Sequence, residues 1–478
     1  MKFLNRFFQN HDWKLTTLVL ILNVIGILTV YSNTFKSVTI DTGKDAFDKQ
    51  IVFLFVGIIL YFLFSKFDYN WLRYKFVWIT IYILGLILLI YVLVFSGEIA
   101  NVHRWISFGV FQLQPAELAK IVSVIISASI FSNILDSSQK LIHKEFYEFN
   151  KENIVLKYVR KNLVNILKII ILFVLIGTYS ILIFIQPSAG NSVLLILSVI
   201  LISIFCLPKQ SLVGSIIATI FIVANLFFGI IKLDFIYELL NFKAIYFGNI
   251  DILFVVISSS IVIIINIVNK VKWYYVLASV IIGLAVFPIV GAFWNSNILK
   301  DYQKTRIISY FNPETAISEN SDALYQVNRA TGAIGSGRLW GKGYLQGTDK
   351  VPFEYTDFAF TGFAEEFGFI GVIGLITLFS LLFIRIFQIS KNAENSFARV
   401  FCIGMGLVLL IHTWASISTN LGLIVNTGVP LPFLSYGGTT LVINLIGLGI
   451  VESASSRAKK VDLQSKVVLT SKSPWRRV

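Results

Sequence analysis

A carboxylate and an amine stand three residues apart in "HRWISFGVFQLQPAELAKI" (103–121), as Glu117 and Lys120. Pro115 just before them suits the first turn of a helix, where its missing N–H costs nothing. On that helix Glu117 and Lys120 share one face. They are either an interfacial salt bridge, with Trp105 in the aromatic belt, or a functional ion pair, because ionisable groups inside apolar helices are functional candidates by default.

A second group lies in "RIISYFNPETAISENSDALYQVNRATGAIGSGRLWGKGYLQGT" (306–348), which mixes the acids Glu314, Glu319 and Asp322 with Arg306, Arg329, Arg338 and Lys342 among closely set glycines. Glycine turns beside cations can hold a phosphate on backbone N–H groups, although "GSGRLWGKG" lacks the Ser/Thr and the preceding strand of a nucleotide-binding loop. "EYTDFAFTGFAEEFGFIG" follows, bringing Asp357, Glu365 and Glu366 to the start of an apolar run. Those acids must either pair with the nearby bases or line a wet cavity. Last comes "NTGVPLPFLSYGGTT" (426–440), with two prolines and two adjacent glycines between apolar segments. Such backbone cannot lie bare against lipid, so it is either an outer turn or irregular chain held around a site.

The elements that must position these groups are membrane helices. Of the 478 residues 56% are hydrophobic and 14% charged, and mean hydropathy is +0.78. These values exclude an ordinary soluble protein and predict an all-α polytopic membrane protein. The apolar runs are too long and continuous for a β-barrel. The first, from Leu15, reads as a retained span and not a cleaved leader. By the rule of about 20 apolar residues per crossing, spans fall near 15–33, 50–66, 76–96, 113–134, 166–186, 190–206, 210–231, 250–268, 273–295, 359–386, 399–424 and 433–453.

Charge orients the spans. The net +14 is not a nucleic-acid signal, since the basic residues gather in alternate loops. Lys2, Arg6 and Lys14, then Lys66, Arg73 and Lys75, then Lys140 to Lys161, then Arg457 to Arg477 all fall on one side in this count. That side is expected to be cytoplasmic, with both termini on it. The organisation is a cytoplasmic arm (1–14), a transmembrane domain (15–453) and a basic tail (454–478), the tail either solvated or touching anionic lipid. Outside lie 97–112, the "QPSAGN" turn (186–191), the long stretch 296–358 and the Pro/Gly segment. The stretch 296–358 balances seven Lys/Arg with seven Asp/Glu and is expected to fold. Cys206 and Cys402 sit at or inside apolar runs and are expected to form neither a disulfide nor a metal site.

Together these segments resemble the SEDS family (shape, elongation, division and sporulation), polytopic glycosyltransferases typified by RodA, FtsW and SpoVE. "QLQPAELAK" is similar to the family's Q-P-S-E-L-A-K, and "QPSAGNS" to Q-P-D-L-G-T. "YQVNRATGAIGSGRLWGKGYLQGT" resembles the Y-Q…A-I-G-S-G-G-x-x-G-K-G-x-x-x-G-T motif, and "YTDFAFTGFAEEFGFIG" resembles H-T-D-F-I-F-A-V-x-x-E-E-x-G-F-x-G. The Pro/Gly segment matches T-G-x-P-L-P-F-x-S-Y-G-G. There are departures. Ser188 replaces the Asp of Q-P-D, Arg338 replaces a motif glycine, and twelve spans are counted against the usual ten. The excess is expected in an inserted helix pair within 207–270.

The resemblance implies polymerisation of Lipid II into glycan strands at the outer face of the bacterial cytoplasmic membrane. A loop carboxylate serves as general base, with Arg/Lys or a divalent metal ion (Mg or Mn) assisting departure of the pyrophosphate. Spacing from the Tyr-Gln pair points to Glu319 and residue identity to Asp322. Glu117, Lys120, Gln114, Arg306, Lys342, Asp357 and Ser435 are the expected supporting or substrate-binding residues. "GKGYLQGT" resembles the RodA form, and a class B penicillin-binding protein is the implied partner. A lipid-linked-precursor flippase and a non-catalytic scaffold of wall synthesis are the alternatives.

Overall fold

A computed structural model of the chain describes residues 10–35, 40–95, 104–108, 111–145, 152–206, 322–348, 351 and 354–471. The chain divides into two compact units, 1–202 with 320–478, and 203–319; apart from the last turn of the helix that ends at Cys206, the features below belong to the first. The sequence-predicted spans 210–231, 250–268 and 273–295, the inserted pair, and the candidate residues Arg306 and Glu319 lie outside the described residues.

Among the described residues nine helices are long and apolar enough to cross a membrane. The helices are α1 (Trp13–Phe35), α2 (Ile40–Lys66), α3 (Lys75–Phe95), α4 (Pro115–Glu145), α5 (Glu152–Ile185), α6 (Ala189–Cys206), α7 (Asp322–Ser336), α8 (Ala359–Lys391), α9 (Ser396–Asn420) and α10 (Gly438–Ser471). All but α7 are membrane candidates, and they fall within a few residues of nine of the sequence-predicted spans. A 3₁₀ turn (Tyr69–Arg73) links α2 to α3, and a short antiparallel hairpin, β1 (Ile106–Phe108) and β2 (Phe111–Leu113), precedes α4.

The core is built on α4 and α9, which pack together, with α10 against α2 and α8 against α1 and α9. Small residues let the central helices approach closely. Ala116, Ala119, Ser123, Ser127 and Ala128 are buried along α4, and Gly404 of α9 lies against Val124 and Ile202. The peripheral helices carry the opposite signature. Phe76, Leu84, Ile87 and Phe95 of α3 and Leu167, Val174 and Ile181 of α5 are exposed. Such apolar faces fit lipid and not water.

Two boundaries differ from the sequence expectation. The last span begins at Gly438 and not near 433, because Pro430 and Pro432 keep the preceding chain irregular. Helix α10 also runs on to Ser471, into the stretch read as a tail. At the other terminus the described end of the arm packs onto the helices. Buried Asp12 pairs with Arg385, accepts from Ser455 Oγ at 2.8 Å and gives its N–H to Glu452 Oε1 at 2.6 Å.

Candidate active site

The four segments read as extracytoplasmic meet around one cavity. It measures about 360 Å³ and is lined in part by Lys49, Arg104, Trp105, Gln114, Asn191, Asp357 and Tyr436. Arg104 and Trp105 come from 97–112, Asn191 from the "QPSAGN" turn, Asp357 from the end of 296–358, and Gly428, Pro430 and Tyr436 to Thr440 from the Pro/Gly segment. It opens at the Pro115 end of α4; Lys140 and Lys144 lie near the other end of that helix.

The Pro/Gly segment is buried irregular backbone. Val429, Leu431, Phe433 and Leu434 are all buried, and Phe433 adopts φ 65°. Its polar groups are met from inside the protein. Gln50 of α2 donates through Nε2 to the Ser435 carbonyl and accepts from the Gly437 N–H, both at 3.3 Å. Ser435 Oγ accepts from the Leu431 N–H at 2.9 Å. Ser435 thus braces the turn and does not line the cavity. Close approach is licensed by glycines on the neighbours. A Cβ on Gly26 of α1 would strike the Phe433 carbonyl, and one on Gly190 of α6 the Thr427 carbonyl. Of the adjacent glycines, Gly438 is pressed against the Phe53 ring, whereas Gly437 has ordinary clearance.

Asp357 is held by α9. Asn420 Nδ2 donates to the Asp357 carbonyl at 2.9 Å, while Asn420 Oδ1 accepts from Thr361 N and Oγ1 at 3.1 and 2.8 Å. Beside it Tyr436 N–H donates to the Tyr355 carbonyl at 2.8 Å, and burial raises the Tyr436 hydroxyl above its ordinary pKa. It therefore faces the cavity as a protonated donor at neutral pH. Arg104 gives its guanidinium to the carbonyls of Gln186 and Pro187, which hold it at the cavity wall. Ser188, in the place of the motif Asp, accepts from Asn191 Nδ2 at 3.0 Å and so sets a residue of the cavity wall.

Glu117 and Lys120 form the ion pair that their spacing predicts, at 2.6 Å, with exposures of 1% and 6%. They do not line the cavity. They lie one to two turns below it, behind Gln114, whose N–H donates to Thr439 Oγ1 at 3.2 Å. Thr439 Oγ1 in turn donates to the Gln112 carbonyl at 2.6 Å.

Lys342 has a different role from a phosphate contact. Helix α8 breaks at Gly368, with φ 64° and ψ −166°, and the "GSGRLWGKG" loop is spliced into the break. Lys342 and Gly343 N–H donate to the carbonyls of Glu365 and Glu366, both at 3.0 Å, while Phe369 and Ile370 N–H donate to Arg338 and Leu339. The N–H groups of Gly337, Arg338, Gly341, Lys342 and Gly343 are thus given to backbone carbonyls and not held open for an anion. The Glu365 carboxylate accepts from Lys342 Nζ, from Thr348 N and Oγ1, and from Ser336 Oγ. Arg338, where the motif has glycine, has φ 51° and keeps the left-handed conformation that glycine adopts freely.

Asp322 opens α7. That helix packs through Val327 and Ala330 on Val351 and Phe358, the residue next to Asp357. Sequence reasoning did not single out Lys49, Arg104 or Asn191, and it offered Trp105 only as part of the aromatic belt in the salt-bridge alternative, whereas Trp105 lines the cavity. The available signal was a lysine at the end of a span opposite the cation-rich loops.

The "Cell cycle protein" model of the FtsW/RodA/SpoVE family matches residues 12–244 and 247–460. The chain belongs to that family. Among relatives, MrdB of Escherichia coli K12, a peptidoglycan glycosyltransferase, is 35% identical over 195 residues. That match takes in 40% of this chain and about half (51%) of the relative. Peptidoglycan glycosyltransferase RodA of Treponema pallidum is 25% identical over 94% of this chain and 98% of its own. Two solved structures share this chain's fold at 21% identity. One is a chain of a peptidoglycan synthase complex (TM-score 0.58, covering 94% of this chain and 98% of that one). The other is the rod shape determining protein RodA of Thermus thermophilus (TM-score 0.50, 93% and 96%). The fold is therefore that of an all-α integral membrane protein of this family.

Proposed function

We propose that the protein is a RodA-like peptidoglycan glycosyltransferase that polymerises Lipid II into glycan strands for cell-wall elongation. The observation that carries this is the single cavity holding Lys49, Arg104 and Asp357, walled by the Pro/Gly segment. Two cations there suit a leaving polyprenyl pyrophosphate, whose developing charge is what needs stabilising. The attacking sugar 4-hydroxyl needs a base, and a carboxylate in reach contributes about 10²–10⁴-fold. Asp322 or Glu319 fills that role, with Glu117, Lys120, Gln114, Arg306, Lys342 and Ser435 supporting the walls or the loop.

Among the described residues no group of three His, Cys, Asp or Glu side chains is placed to hold a metal ion. Among the described residues of the lining the one carboxylate is Asp357. One carboxylate plus substrate phosphates is the donor set Mg²⁺ commonly uses, so Asp357 is the residue that would hold a divalent ion. Bound there, the ion would neutralise phosphate charge.

The charge distribution supports a bacterial cytoplasmic membrane location with both termini inside and the cavity outside. A class B penicillin-binding protein is the proposed partner, by analogy with the synthase complex of the same fold. The test is conversion of Lipid II to glycan strands by the purified, reconstituted protein, with and without that partner. Failure to polymerise in both conditions would overturn the proposal. Lipid II transport across vesicles would then favour a flippase, and inactivity in both assays a scaffold.

A further inference from the structure

The Lys120–Glu117 pair has a third member that lies in none of the family motifs. Lys120 Nζ lies 3.3 Å from Nδ1 of His412 on α9, and His412 is 4% exposed. An ammonium offers donors only, so Nδ1 must accept and the ring proton sits on Nε2. Among the described residues, Lys120 is the only polar partner of the His412 ring. Whatever His412 does through hydrogen bonding there, it does through Lys120.

A lysine is a point charge on a flexible four-carbon stem, so the position of Nζ is set by the acceptors that hold it. The seam between α4, α6 and α9 beside Lys120, lined by Ser123, Ser198, Leu195 and Val408, has no room for a water-sized group. The Ser123 and Ser198 hydroxyls donate to the Ala119 and Leu194 carbonyls, both at 2.7 Å. Among the described residues, Glu117 and His412 are the acceptors at Nζ. Glu117 lies in the first turn of α4, where its N–H donates to the Gln114 carbonyl at 3.1 Å. Gln114 and Thr439 both line the cavity, so the pair adjoins the wall.

We propose that His412 is a positioning residue: by accepting from Lys120 it keeps the ammonium on Glu117 and fixes the α4 turn that forms the cavity wall. This rests on the polymerase proposal for its effect on rate. The substitutions that separate positioning from packing follow from the two ring nitrogens. His412→Asn places an amide oxygen near Nδ1 and keeps the acceptor. His412→Gln reaches instead toward Nε2, and His412→Phe keeps only the bulk.

In reconstituted Lipid II polymerisation, His412→Phe and His412→Gln should lower kcat by about tenfold or more, with KM changed less than about threefold. His412→Asn should stay within about threefold of wild type. In a Lys120→Met background, His412→Phe should add nothing further. A wild-type rate for His412→Phe, an Asn variant as slow as the Phe variant, or losses at 120 and 412 that multiply would each overturn the proposal. The same double-mutant cycle read as melting temperature does not need activity. Non-additive shifts support the contact even if the wild-type protein makes no glycan, and additive shifts reject it. Absence of glycan from the wild type would count against the polymerase proposal alone.

Discussion

Asn420 and Asp357 are joined across two helices, the Asn420 amide donating to the Asp357 carbonyl while its oxygen takes both the N–H and the hydroxyl of Thr361. One side chain at the end of α9 thereby sets the start of α8 and the acid that precedes it. Asn420→Leu keeps the volume and strands the buried Thr361 hydroxyl, while the Thr361 N–H keeps the Phe358 carbonyl at 2.8 Å. Each unsatisfied group costs about 1–3 kcal/mol, so the melting temperature should fall and polymerisation with it. An unchanged melting temperature would show that the clasp contributes nothing.

The Pro/Gly segment depends on glycines outside itself. Gly26→Ala would drive a methyl into the Phe433 carbonyl, and overpacking of this kind costs about 1–3 kcal/mol, sometimes more. Gly177 of α5 has open space around its Cα, so Gly177→Ala should be neutral or stabilising by up to about 1 kcal/mol. Thermal unfolding of the two variants in detergent compares them directly; equal effects would contradict the packing described here.

The loop spliced into α8 hangs on Glu365. Breaking a buried charge pair by removing one partner costs about 3–5 kcal/mol, which is the expectation for Lys342→Ala, reduced because Lys342 is itself partly exposed. Glu365→Ala removes the acceptor for Ser336 and Thr348 as well. It should therefore open residues 337–348 to protease more than Lys342→Ala does. The reverse order would mean that the lysine, and not the carboxylate, anchors the loop.

If one loop carboxylate is the base, Asp322→Asn or Glu319→Gln should lose about two or more orders of magnitude in polymerisation while remaining folded and inserted. The other should lose little. Lys120→Ala should be intermediate, because the ammonium assists and does not transfer the proton. Wild-type rates in both amide variants would exclude both residues as the base.

Sidedness can be read by thiol labelling in intact cells, since Cys206 and Cys402 are buried and free. A cysteine at exposed Tyr344 should label, and cysteines at 140 or 459 should not. Labelling of the last two but not of 344 would place the cavity on the inner side.

What the sequence determined by itself is what short-range physics encodes. Span length follows from apolar run length, the α4 start from Pro115, and the Glu117–Lys120 pair from helical spacing, all within a few neighbouring residues. Family motifs added the order of the segments around a site. What only the tertiary structure decided is which of these polar groups meet. Lys342 is a plausible phosphate ligand in isolation, and its occupation by Glu365 depends on a helix break at Gly368 that spacing does not reveal. Gly26 and Gly190 look like ordinary helical glycines until the Pro/Gly backbone is seen against them. Lys49, Arg104, Asn191 and His412 come from four separate helices or loops. Their contacts depend on how α2, α4, α6 and α9 pack, because a side chain's partners across a bundle are set by crossing geometry and not by local pattern.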